Sequence, residues 1–179
     1  RGDPAAAART ARAVQQATSY RNVTPYLVVD PAPAADALNR LAAGRSEELL
    51  VFLEAGVEPA DPRWLSRLVA HLRLPGVGVA GGLIRDPDGR VVSAGTVLGM
   101  RDGIAPANAC AGVPADAVSY YFYAESTRTV SAPGKGCLAT PRAVFDRLGG
   151  FDADRFGGTL WDVDYALRVQ GQGLRCVHI

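Results

Sequence analysis

A chain of 179 residues, 48% apolar and 21% charged, is long enough for one domain with a sizeable core. Its net charge of +1 argues against a nucleic-acid-binding domain, which carries a concentrated basic stripe, and no apolar run reaches the ~18 residues of a membrane-spanning helix. Cys110, Cys137 and Cys176 stand apart without CxxC spacing, so neither a zinc knuckle nor a complete disulfide framework is indicated, and a reducing, cytoplasmic setting fits. The chain opens on Arg1 without methionine and stops within the extended run Val177-His178-Ile179, which reads as a piece of a longer chain; no signal peptide is legible.

The first element is a helix from Pro4 to Gln16, with Asp3 as N-cap and proline at the first helical position. Pro25-Tyr26-Leu27-Val28-Val29 is a short apolar run ending on Asp30, the pattern of a buried strand. A helix over 34–43 stops at Gly44, and a second buried strand, 48–53, finishes on Glu54. Asp61-Pro62 opens a helix from Arg63 to Leu72 with one apolar face. Residues 77–84 and 91–98, joined by the turn Asp86-Pro87-Asp88-Gly89, predict a β-hairpin. Residues 100–117 read as a loop rich in Gly, Ala and Pro, 127–131 as extended, and Thr140-Pro141 as the cap of a short helix through Leu148. Strands alternating with helices and followed by a hairpin imply an α/β domain with a largely parallel sheet, whose ligand sits beyond the carboxyl ends of the strands, where Asp30 and Glu54 stand.

The last helix carries the clearest chemical signal. Gly149-Gly150-Phe151-Asp152 leads through Gly157-Gly158 into Trp161-Asp162-Val163-Asp164-Tyr165-Ala166-Leu167-Arg168. Asp162 and Asp164 fall in the first turn, where the macrodipole favours negative charge and a carboxylate can face a cleft. Arg168 lies one turn beyond Asp164, at ion-pair spacing. A catalytic base and a plain acidic cap with a helical ion pair both satisfy this pattern. Asp152 and Asp154 read as turn formers and an N-cap, His71 as a helix-surface residue, His178 as part of a frayed terminus, and Cys137 as a buried thiol.

Taken together these segments resemble a family 2 glycosyltransferase of the GT-A fold, an enzyme that takes a sugar from a nucleotide-diphospho-sugar. Tyr20-Arg21-Asn22-Val23 running into Val28-Val29-Asp30 is similar to a strand whose terminal aspartate contacts the nucleotide. Leu49 to Gly56 resembles the strand that ends in the family's DxD motif. Pro75 to Gly81 with Asp88-Gly89-Arg90 and Ala94-Gly95 resembles the hairpin that follows. Gly134 to Ala139, Phe145, Leu148 to Asp152 and Trp161 to Asp164 with Arg168 look like the acceptor-side block. The resemblance implies a single Rossmann-like three-layer domain over 1–179, with a mostly parallel central sheet flanked by helices and a β-hairpin. The family's first strand and one βα unit have no counterpart, so the N-terminal half reads as truncated or degenerate.

Carried over residue by residue, the resemblance makes Asp162 the general base of an inverting transfer to an acceptor hydroxyl. It places Trp161, Asp164 and Lys135 on the acceptor side and Asp30, Glu54 and Gly136 on the nucleotide-sugar side. Trp161 stands where the family commonly has an acid. The DxD position reads Glu54-Ala55-Gly56, so the carboxylate that normally binds Mg²⁺ or Mn²⁺ is replaced by glycine. Glu54 is the metal candidate that remains, with Glu58 and Asp30 behind it; Lys135 and Arg128 are cations able to stabilise charge without a metal. The implied partners are a nucleotide-sugar donor and a glycan or lipid-linked acceptor at the inner face of the membrane, in polysaccharide biosynthesis. The changed DxD supports an alternative, a glycosyltransferase-like binding or assembly module that has lost catalysis.

Overall fold

The computed structural model describes residues 3–28, 33–100, 105–114, 117 and 122–179. Helix α1 (Pro4–Ala17) opens as its sequence predicts, the Asp3 carboxylate accepting the Ala5 N–H at 2.9 Å. Helix α2 (Ala34–Ala43) ends at Gly44, and α3 (Trp64–Leu72) buries Leu65, Leu68, Val69 and Leu72, the face its periodicity marks. Between them runs β1 (Leu49–Leu53). Residues 23–28 contain no strand, contrary to the apolar-run expectation: Tyr26 and Leu27 are exposed, and Tyr26 makes its contacts sideways, to Glu47 and under Arg45. Val29 and Asp30 lie outside the described residues.

The expected hairpin is subdivided. Strands β2 (Val77–Gly81) and β3 (Ile84–Arg85) replace one long strand, and β4 (Val91–Ser93) pairs with β3. Gly95, at φ +87°, then turns the chain into β5 (Thr96–Gly99), which pairs with β6 (Ala105–Asn108) inside the segment expected to be a loop. After β7 (Arg128–Thr129), β8 (Cys137–Pro141) forms where a helix cap was expected at Thr140. Thr140 is a buried strand residue whose hydroxyl donates to Gly78 O at 2.8 Å and meets the Tyr165 hydroxyl at 2.8 Å. Helices α4 (Arg142–Arg147), α5 (Ala153–Phe156) and α6 (Trp161–Gly171) and strand β9 (Arg175–His178) complete the described chain.

The main sheet has the order β1-β8-β2-β9-β7. Strands β1, β2 and β9 run in one direction while β8 and β7 run back, so only the β2–β9 pairing is parallel among the described strands. This mixed sheet corrects the expectation of a mostly parallel one. The segment 130–136 carries the chain from β7 at one edge of the sheet past β9 and β2 to β8, which lies between β1 and β2.

Side chains alternate between two apolar clusters, one on each face. One unites α3 with Val77, Ala80, Cys137, Ala139 and Val177; the other unites α2, α4 and α6 with Leu50, Val79, Leu138 and Cys176. In the second, Phe52, Phe145, Phe151, Trp161 and Tyr165 pack edge-to-face or tilted, with centroids 4.5–5.6 Å apart. The outer edge of β1 faces a cavity of about 560 Å³, lined by α1, α3 and the 20–28 segment and reaching Leu53 and Ala55 on either side of Glu54. Among the described residues no helix is long and apolar enough to cross a membrane.

Candidate functional site

The sheet delivers one end of β1, the start of β8 and the start of α6 to the same place. Glu54 follows β1 and continues its pairing with the β8 side, its N–H donating to Gly136 O at 3.2 Å. Gly134, at φ +93°, makes the turn that leads into β8, and a Cβ on Gly136 would stand 3.1 Å from Ile84 Cγ1. These glycines let the loop pass close to the β3–β4 hairpin and present Lys135 between them. Lys135 Nζ lies 2.9 Å from Glu54 Oε1, with both side chains about half exposed. Gly56, at φ +95°, donates its N–H to Thr10 Oγ1 at 2.9 Å, and a Cβ there would meet nothing within 4 Å.

Asp162 enters this cluster from α6. Leu160 precedes the helix in a left-handed conformation, φ 61°, and Asp162 occupies the first turn at only 6% exposure. Burial pushes its carboxyl pKa above the ordinary value; N–H groups of its own residue and of Val163 pull the other way, as does the charge of Lys135, while Glu54 adds to the rise. Both members of the Glu54–Lys135 pair therefore act on Asp162. A buried carboxylate in the first turn of a helix, with its pKa raised by burial, is a candidate general base.

The neighbouring residues brace the start of α6 and the 148–151 turn. Trp161 is 6% exposed, its ring edge-on to Phe151 at 4.5 Å. Asp164 accepts from Arg168 Nε at 2.7 Å, and the same guanidinium donates to Leu148 O at 2.9 Å and Gly150 O at 2.8 Å. Asn39 was not singled out by sequence. Its amide donates to Phe151 O at 2.8 Å and accepts the Phe151 N–H at 2.9 Å, tying α2 to the glycine turn before α5. The available signal was an asparagine inside an alanine-rich helix, where it costs propensity unless its amide is used elsewhere.

Other expectations fall away from the cluster. Glu58 is exposed beyond the turn. Arg128 donates to Ala94 O at 2.6 Å and lies over the Tyr123 ring at 3.9 Å, its Nε and Nη1 buried without a partner. His178 is not frayed: it is fully buried in β9, with Nε2 2.8 Å from Ala124 O. Cys137 is the buried thiol expected, its pKa raised to about 11 by burial. Asp30 lies outside the described residues.

Among the described residues, the side chains around Glu54 do not assemble a site for a resident Mg²⁺ or Mn²⁺. An ion that bridges a diphosphate takes one or two protein carboxylates and completes its shell with phosphate oxygens and water, so the test falls on the side chains at and after Glu54. Gly56 offers no side chain, and the Lys135 ammonium already stands at the Glu54 carboxylate where the ion would bind.

Comparison with known proteins bears on this arrangement. In structure the chain resembles mannosyltransferase PcManGT from Pyrobaculum calidifontis, solved in complex with GDP-Man and Mn²⁺. The TM-score is 0.51 over 90% of this chain and 35% of that one, at 20% identity. The chain shares the fold of part of that protein. In sequence it is 40% identical over 143 residues to the O-antigen biosynthesis protein RfbC of Myxococcus xanthus, covering 79% of this chain and 11% of that protein. It is 33% identical over 138 residues to the uncharacterized protein y4gI of Sinorhizobium fredii, covering 76% and 15%. The chain thus spans 11–15% of the length of these curated relatives. No protein-family model matches it.

Proposed function

We propose that this chain is the sugar-transfer domain of an inverting glycosyltransferase of family 2 and GT-A type, taking its sugar from a nucleotide-diphospho-sugar. The observation that carries this reading is the buried Asp162 carboxylate, set at the start of α6 under the influence of the Glu54–Lys135 pair. Asp162 accepts the proton of an acceptor hydroxyl as that oxygen attacks the anomeric carbon. The bond from this carbon to the diphosphate breaks on the opposite face, and the nucleoside diphosphate leaves with the bonding electrons. A positioned base contributes about 10²- to 10⁴-fold to such a step. Asp164 acts through Arg168, which fixes the 148–150 turn, and Trp161 holds the start of α6 against Phe151. Asp30, Glu54 and Gly136 belong to the donor side. A glycan or lipid-linked acceptor in polysaccharide assembly suits the relationship to an O-antigen biosynthesis protein.

The test is a thermal-shift titration with GDP-mannose and with UDP- and dTDP-linked sugars. A ligand that binds only the folded state stabilises it by about 2.7 kcal/mol at a hundred times its Kd, so at least one donor raises the melting temperature in a saturable way. No shift with any donor would contradict the reading. The side chain missing at Gly56 favours a second reading, a binding module without catalysis, which predicts the shift without release of nucleoside diphosphate.

A further inference from the structure

We infer that Lys135, which the family resemblance puts on the acceptor side, is instead the built-in cation of this site, taking the diphosphate of the donor in the place a divalent metal ion would hold. The inference rests on the glycosyltransferase reading and concerns how that reaction's charge is met. Breaking the sugar–diphosphate bond leaves negative charge on the leaving group, and a site that performs the reaction must supply positive charge there. Among the described residues the end of β1 offers a divalent ion little: Gly56 has no side chain, and Glu54 is already met by an ammonium. That ammonium lies 2.9 Å from the carboxylate at the end of β1, on a loop bonded to that same residue through Gly136 O.

Three features fit Lys135 to this task. It is the sole lysine among 19 basic residues, so where the chain elsewhere uses arginine it here presents a compact point charge with three donors, a form suited to phosphate oxygens. Its partner does not retain it, because an ion pair with both side chains about half exposed is worth only about 0.2–1 kcal/mol. The doubly charged diphosphate out-competes one carboxylate for the ammonium, and Glu54 then remains to orient the lysine. Finally, Lys135 acts electrostatically on Asp162, so one residue links the leaving-group side to the base.

Calorimetric titration with GDP, UDP and dTDP, each in EDTA and in Mn²⁺, tests this on the unmodified chain and on Lys135→Met and Lys135→Arg. The side chain is 59% exposed and its ion pair is worth no more than about 1 kcal/mol, so both variants should melt within a few degrees of the parent. The expected result is binding of at least one nucleotide with similar affinity in EDTA and Mn²⁺. Lys135→Met then weakens it about 10- to 100-fold, the loss of one hydrogen bond to a charged group, while Lys135→Arg retains most of it. Binding that requires Mn²⁺, or that Lys135→Met leaves intact, overturns the inference and leaves the glycosyltransferase reading standing. Binding of no nucleotide in either buffer overturns that reading, and the inference with it.

Discussion

Burial raises the pKa of Asp162, and the sign of that shift makes a stability prediction separate from catalysis. The folded state prefers the protonated carboxyl, so the group's favourable contribution is complete below its unfolded value, 3.8, and is lost as pH rises through the higher folded value. Asp162→Asn removes an ionisable group that is expensive at neutral pH. Thermal melts should show the variant equal to or more stable than the parent near neutrality, with the advantage gone below pH 3.8. His178 behaves in the opposite sense. Burial lowers its pKa from 6.5 despite the bond to Ala124 O, and the charge of Arg128 lowers it further. Its contribution is present above 6.5 and lost as pH falls through the folded value. The parent's melting temperature should therefore decline as pH drops below 6.5, and His178→Gln should flatten that decline; an unchanged slope would show that His178 does not titrate on unfolding.

At the scale of elements, the glycine turn before α5 is held to α2 through Asn39. Gly150 adopts φ +75°, and a Cβ there would lie 2.6 Å from Asn39 Oδ1. Gly150→Ala thus meets the left-handed backbone cost, about 1–2 kcal/mol, and disrupts the Asn39–Phe151 bonds, worth about 1 kcal/mol. The melting temperature should fall by roughly 4–12 °C. Gly149→Ala, at φ +71° with nothing within 4 Å of the new Cβ, meets the backbone term alone and should lose less. Equal losses would remove Asn39 from this role. The helices α1, α2 and α3 were legible from their caps and apolar spacing, because those signals are local. Strand β8 was not, since Cys137, Leu138 and Ala139 acquire strand character only between β1 and β2. The run at 25–28 failed in the converse way: apolar residues form a strand only where a neighbour accepts their backbone bonds.

Over the whole molecule, the three strands that run together, β1, β2 and β9, set the end at which the polar cluster gathers. The sequence marked Asp162 through its acidic helix start and Glu54 through its place after an apolar run. It could not show that Lys135 meets Glu54, because that contact is made by sheet order and not by spacing. The same assembly explains why the Arg168 network and Asn39, remote in sequence, converge on one turn. The central claim is that Asp162 is the base of a sugar transfer. Its most direct test is the release of nucleoside diphosphate from a nucleotide-diphospho-sugar that the chain binds, measured for the parent and Asp162→Asn, with both melting temperatures taken on the same preparations. The account predicts a fall of about 10²- to 10⁴-fold in turnover in a variant at least as stable as the parent. Undiminished turnover in a folded Asp162→Asn variant would contradict it.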